Sequence, residues 1–171
     1  LCDVEYKNYG FRLLFTRPIS KLTIYSSKIV FLLEINFISF LIGYLAFLLS
    51  GFALDKLLPG YEFSSYNVNN LTAFYFSYLF IALSAVSIMQ YYLSLIFKSF
   101  VLPIGFAGFM TIFGVIAQNK DYIYLIPYGT VWRLNYGFYS RIIDFSRGEY
   151  VNIAYVLFFV VISFFVFIRK K

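Results

Sequence analysis

The stretch IVFLLEINFISFLIGYLAFLLSGFAL, residues 29–54, decides the fold class of this chain. A helix needs about 20 mostly apolar residues to cross the hydrocarbon core of a bilayer. This stretch exceeds that length, and Glu34 is its one charged residue. It therefore predicts a transmembrane helix.

Three further segments predict spans, at about 71–97, 99–117 and 151–168. The third is near the minimum length and contains one proline and three glycines, so we expect it to be kinked or shallow. These residues are Pro103, Gly105, Gly108 and Gly114. The fourth is rich in phenylalanine, has only Ser163 as a central polar residue, and is expected to face lipid.

Composition supports a membrane protein. Of 171 residues, 61% are hydrophobic and 13% are charged, whereas about a quarter of a soluble domain is charged. The chain has no His and one Cys, Cys2, which argues against a zinc site, His-based acid–base catalysis and an internal disulfide. The fold class predicted is all-α: a polytopic protein with four transmembrane helices after an interfacial amphipathic helix. Because Leu1 is not Met, we expect a piece of a longer protein.

The distribution of cations predicts the orientation. Residues 1–28, 98 and 169–171 hold nine Lys and Arg, whereas 55–70 and 118–150 hold five, diluted by five acids. Cytoplasmic loops are enriched in Lys and Arg, so both termini are expected in the cytoplasm of a multi-pass cell-membrane protein. The basic balance then reflects topology. No nucleic-acid partner is expected, because no separate soluble basic domain exists.

The stretch EYKNYGFRLLFTRPISKLTIYSSK, residues 5–28, precedes the first span and carries five cations. On a helix over 5–17, Glu5 and Arg12 share a polar stripe and tyrosines and leucines cover the other side, which predicts a helix lying in the membrane interface. Pro18 ends it, and Ser20 can cap a new helix that starts near Lys21 and continues into the first span. The segment is either a plain juxtamembrane anchor or a functional element.

Several of these residues resemble the cytoplasmic segment of the type 2 ABC transporter permease family: Glu5, Gly10, Leu13, Leu14, the run RPIS, Lys21 and Lys28. Phe11 stands where that family often has Thr. A second stretch, LSLIFKSFVLPIGFAGFMTIFG (93–114) followed by YIYLIPYGTVW (122–132), is similar to the branch of bacteriocin export and immunity permeases and bacitracin-resistance-type permeases.

This resemblance implies six spans, of which four follow the cytoplasmic segment. It also implies a separate ATPase subunit that binds ATP and Mg, and a second permease copy or homologous permease. The chain has no G-x-x-x-x-G-K-[ST] sequence, so no cofactor of its own and no enzymatic activity are expected. Residues 1–28 would be the coupling segment and 29–171 the transmembrane domain. The residues expected to couple to the ATPase are Glu5, Gly10, Arg12, Arg17, Pro18, Ser20, Lys21 and Lys28. The basic ones would also hold the segment at anionic lipids.

Small and weakly polar residues recur at helical spacing in the first two spans, where they either pack helices together or line a substrate path. The candidates are Asn36, Ser39, Gly43, Ser77, Ser84 and Ser87. Glu34 lies six residues after Lys28, which places it near the interface, where we expect it to snorkel, to pair with a cation or to take part in transport.

Residues 118–150 form a long loop with Trp132 and six tyrosines, more aromatic than a solvated loop. We expect a re-entrant or surface-lying, partly helical element over 122–145, with Pro127 at its turn.

The function expected is the permease subunit of an ATP-driven exporter of peptides or amphipathic small molecules. A membrane enzyme is disfavoured, because Glu34 stands alone without convergent acids, His or Cys in the spans. A non-transporting membrane scaffold or immunity protein remains the alternative.

Overall fold

The computed structural model describes residues 19–58, 69–97, 101–117, 119–132 and 147–169. Of these residues 94% are helical and none is in a strand, so the all-α prediction is confirmed. The predicted interfacial helix, Pro18 and residues 133–146 of the long loop lie outside the described residues.

Four long helices make up most of the described chain. They are α1 (Lys21–Leu57), α2 (Asn69–Ile96), α3 (Val101–Ala117) and α4 (Arg147–Arg169). A 3₁₀ helix, Asp121–Leu125, and a helical turn at 127–132 lie between α3 and α4.

The start of α1 follows from its cap. Ser20 has an extended backbone, and its Oγ accepts a hydrogen bond of 3.1 Å from the backbone N–H of Thr23. A serine in this position satisfies one of the amide groups that a helix leaves without a partner in its first turn. The predicted helix start near Lys21 is therefore confirmed.

Three described helices are long and apolar enough to cross a membrane: α1, the Thr72–Ile96 part of α2, and the Gly148–Arg169 part of α4. α1 has 37 residues and is about 55 Å long, so it extends beyond a hydrocarbon core of about 30 Å. α3 has 17 residues, or about 26 Å, and falls just short of that thickness. The four-span topology stays a prediction.

The contact between α1 and α2 is built from aromatic rings. Measured between ring centroids, Phe40 of α1 lies 5.8 Å from Phe80 and 6.1 Å from Phe76, and Tyr44 lies 5.4 Å from Phe76. All three pairs have edge-to-face geometry. Such pairs add to the stabilisation that burial of the rings provides. Gly43 lies in the same contact, where an added Cβ would be an ordinary 3.5 Å from the Phe76 ring.

The core of the described part lies where the start of α1 meets the ends of α2 and α4. Its buried members are Ile24, Tyr25, Ile29, Tyr91, Leu95 and Phe167. Farther along α1, large apolar side chains such as Ile42, Leu49 and Phe52 are exposed. In a bilayer, side chains of this kind contact lipid tails or other membrane helices.

The expectation that the fourth span faces lipid holds for only one side of α4. Leu157, Phe158 and Phe165 are exposed, but Ser163 and Phe167 are completely buried against the neighbouring helices. The expectation that α4 faces lipid was based on the overall composition of the helix. Its buried side depends on a few polar and aromatic positions at helical spacing.

Candidate functional site

The elbow cluster consists of Lys21, Tyr25 and Lys28 of α1 together with Ser163 and Phe167 of α4. Lys21 Nζ donates a hydrogen bond of 2.9 Å to the backbone carbonyl of Ile168 in the last turn of α4. The last carbonyls of a helix have no partner within it and carry partial negative charge. Lys21 therefore caps α4 from a neighbouring helix.

Tyr25 makes the central contact of the elbow cluster. Its hydroxyl lies 2.6 Å from the Val160 carbonyl, to which it donates, and 2.7 Å from Ser163 Oγ. Its ring packs 5.2 Å from Phe164 and 5.7 Å from Phe167, measured between ring centroids. Since Tyr25 and Ser163 are both buried, these polar contacts lie in a low-dielectric setting and hold the two helices in one register.

Lys28 completes the elbow cluster. It is only 8% exposed, and its Nζ lies 5.4 Å from the centre of the Phe167 ring. A desolvated ammonium over an aromatic face makes a favourable cation–π contact. Lys28 thus contacts α4, as Lys21 does.

The residues predicted to couple to an ATPase fall into two groups. Lys21 and Lys28 contact α4, and Ser20 caps α1. Glu5, Gly10, Arg12, Arg17 and Pro18 lie outside the described residues. The coupling role of all eight residues stays a prediction.

Asn36 and Ser87 come together where α1 packs on α2. Ser87 Oγ donates a hydrogen bond of 3.2 Å to Asn36 Oδ1, and Ser84 lies one helical turn from Ser87. Asn36 Nδ2 and Ser84 Oγ are buried without a hydrogen-bond partner among the described residues. An unsatisfied buried polar group of this kind costs about 1–3 kcal/mol.

The other predicted path residues do not join this group. Ser39 and Glu34 are exposed, and Ser77 is exposed with its hydroxyl bonded to the Ala73 carbonyl of its own helix. Gly43 faces the Phe76 ring. The polar face predicted for α1 is therefore divided between the α2 contact and the outward side, and a role in transport stays a prediction for each residue.

The 119–132 segment packs among α2, α3 and α4. Ile123, Tyr128 and Thr130 in it are buried. Pro127 is the first residue of the helical turn at 127–132, where its missing N–H costs no helical hydrogen bond. The described part of the long loop is thus partly helical, as predicted.

Hydrogen bonds hold the 119–132 segment to two helices. Tyr155 of α4 donates from its hydroxyl to the Leu125 carbonyl at 2.9 Å, and Asn152 Nδ2 donates to Thr130 Oγ1 at 3.0 Å. Gln90 Nε2 of α2 donates to the Tyr128 hydroxyl. Burial raises the pKa of the Tyr128 phenol above its usual value of 10, and the Gln90 contact lowers it in part, so the group is neutral at physiological pH.

Sequence reasoning missed the partners that hold these two sites. Gln90 and Asn152 have amide side chains within apolar helices. Because a polar side chain in a membrane helix needs a hydrogen-bond partner, the sequence alone could have indicated both residues. Tyr25 carried no such signal, because a tyrosine near the end of a span also suits the lipid headgroups.

No group of His, Cys, Asp and Glu side chains that could hold a metal ion occurs within the described ranges.

Comparison with known proteins gives the family. The family model described as "ABC-2 family transporter protein" matches residues 1–114, about two thirds of the chain. The chain belongs to this family. It is a membrane-embedded subunit of the ABC transporter permease type. No curated protein and no solved structure matches the chain.

Proposed function

We propose that this chain is the permease subunit of an ATP-driven exporter that works with a separate ATPase. The elbow cluster carries the proposal: a helix whose cap, Ser20, lies two residues after Pro18 is joined by buried contacts to a second membrane helix. Movement delivered at residues 1–18 would therefore reach two helices. Membership of the ABC-2 family supports the ATPase partner, since permeases of this family generally have one.

The ATPase would hold the ATP and Mg and would sit on the side of residues 1–28. The excess of Lys and Arg in 1–28 and 169–171 supports a cytoplasmic position for both termini. Arg12 and Arg17 are the docking cations of the proposal, because Lys21 and Lys28 already contact α4. The basic residues would also bind anionic lipid headgroups.

The cargo proposed is a peptide or an amphipathic small molecule, moved outward, as in the bacteriocin and bacitracin-resistance-type branch. Aromatic and weakly polar helix faces in this chain support cargo of that kind. A second permease copy, or a homologous permease, would cover part of the exposed apolar side of α1. The alternative is a scaffold or immunity protein that sits in the same membrane without transporting.

Reconstitution with an ABC ATPase from the same cell tests the proposal. In proteoliposomes the pair should hydrolyse ATP faster than the ATPase alone and move a labelled amphipathic peptide. A pair that binds but neither stimulates hydrolysis nor transports would favour the scaffold.

Charge reversal tests where the ATPase docks. Arg17→Glu should weaken ATPase binding at least about tenfold, because a charge-assisted contact contributes about 1.5–3 kcal/mol. Lys56→Glu is the matched control at the opposite end of α1, where Lys56 packs on the Phe52 ring, and it should leave binding unchanged. Loss of binding in Lys56→Glu alone would reverse the proposed orientation.

A further inference from the structure

We propose that α4 transmits displacement between the elbow cluster and the 119–132 segment, so that the two ends of the described bundle move together. This role of α4 rests on the proposed function, since an ATP-driven permease must relay movement across the membrane. Its test needs no ATPase, so the two proposals can fail separately.

The first joint is the elbow cluster. Lys21, Tyr25 and Lys28 lie four and three residues apart, which places them on one face of α1. All three contact the last three turns of α4, through the Ile168 carbonyl, the Val160–Ser163 pair and the Phe167 ring. A displacement of the first turns of α1 therefore acts directly on this end of α4.

The second joint lies nearer the beginning of α4. Asn152 and Tyr155 are three residues apart and share a face of the helix. Their side chains donate to Thr130 and to the Leu125 carbonyl in the 119–132 segment. The same helix thus holds both the start of α1 and this segment.

An unbroken stretch of α4 connects the joints. From Asn152 to Ser163 the helix rises about 16 Å and contains no proline or glycine, the usual causes of a kink. Between the joints, Phe159 packs 5.2 Å from Tyr92 of α2. Because this contact keeps the middle of α4 against α2, a displacement at one joint becomes a tilt that reaches the other.

A second route through α2 exists and must be separated from the first. The Tyr25 ring lies 6.3 Å from the Tyr91 ring, and the neighbouring Gln90 contacts Tyr128 in the 119–132 segment. Tyr25→Phe separates the routes, because it removes the hydroxyl bonded to α4 and keeps the ring that packs on Tyr91.

Amide hydrogen exchange on the full chain in lipid nanodiscs measures the coupling. The reporters are hydrogen-bonded backbone amides of the 119–132 segment: Ile123, Ile126, Gly129 and Thr130. In Tyr25→Phe their exchange should be at least about threefold faster, since the hydrogen bond that helps to keep α4 in place is lost. Amides in the middle of α2, residues 78–88, serve as an internal reference and should not change.

Tyr44→Phe is the matched control. It makes the same substitution in α1, at a ring that packs on Phe76 of α2. The four reporter amides should exchange at the wild-type rate in this variant.

The reverse experiment begins at the other joint. Asn152→Leu keeps the approximate size of the side chain and removes its bond to Thr130. Coupling between two sites is reciprocal, so the amides of residues 24–29 in α1 should exchange faster. Faster exchange there, together with the Tyr25→Phe result, supports transmission through α4.

Two results would overturn the inference. If Tyr25→Phe speeds exchange only at residues 24–29 and 160–167, the elbow cluster merely joins two helices locally. If it speeds exchange equally in α2, Tyr25 is a general stability residue. Transport by the wild-type pair plays no part in either result and reports on the proposed function alone.

Discussion

Two glycines set how closely the 119–132 segment approaches its neighbours. A Cβ at Gly114 of α3 would lie 3.1 Å from the Tyr128 carbonyl oxygen and 3.2 Å from Gly129 Cα. A Cβ at Gly129 would lie 2.1 Å from Cδ1 and 2.5 Å from Cγ1 of Ile123, which is completely buried. Neither position has room for a side chain unless the neighbours move.

Gly129→Ala should therefore destabilise the protein by about 1–3 kcal/mol, the usual cost of overpacking a filled interior. The measurement is the apparent Tm from circular dichroism in detergent. Gly108→Ala in α3 is the control, because a Cβ there meets nothing within 4 Å. Its Tm should stay level or rise slightly, since alanine favours helix over glycine.

Ile123→Val in the Gly129→Ala background removes the nearest atom, Cδ1, and should recover part of the loss. If Gly129→Ala matches the wild type, the close packing between Gly129 and Ile123 is wrong.

For the helices, the length and first residue of α1 could be predicted from the sequence, but the helices that pack against one another could not. The apolar run 29–54 predicted a span, and the run RPIS predicted a helix start at Lys21, because local chemistry decides both. The bond between Tyr25 and Ser163 joins residues 138 positions apart. Hydrophobic periodicity gives the faces of a helix but not its neighbour, so the burial of one side of α4 was missed.

The cap of α1 gives a prediction at this scale. Ser20→Ala should weaken the first turn by about 1 kcal/mol, because the Thr23 amide loses its side-chain acceptor. Amide exchange at residues 23 and 24 should then be roughly fivefold faster, the factor that this free energy gives.

Ser26→Ala is the control for the cap, since the Ser26 hydroxyl only donates to the Thr23 carbonyl of its own helix. Equal exchange in Ser20→Ala and the wild type would mean that the helix starts without this cap.

At the scale of the whole molecule, the described chain is a bundle whose two hydrogen-bonded sites share one helix. The family and the membrane location were predictable, because the motif around RPIS and the apolar composition carry them locally. The candidate substrate path was not, since residues at the same spacing, such as Asn36 and Ser39, face different surroundings. In the proposed function, residues before α1 couple ATP hydrolysis to movement of the spans.

The most direct test of that claim is the amount of cargo moved per ATP hydrolysed in the reconstituted pair when Pro18 is replaced. Pro18→Ala removes the steric block that a proline places on a continuous helix, so the turn predicted before α1, which would convert a push into tilt, should be lost. Pro59→Ala makes the same exchange beyond the other end of α1 and serves as the control. We expect Pro18→Ala to insert normally and hydrolyse ATP but to move at least about tenfold less cargo per ATP, because movement at residues 1–18 no longer tilts α1, while Pro59→Ala matches the wild type. Wild-type cargo movement per ATP in Pro18→Ala would contradict this coupling and leave residues 1–18 as a membrane anchor.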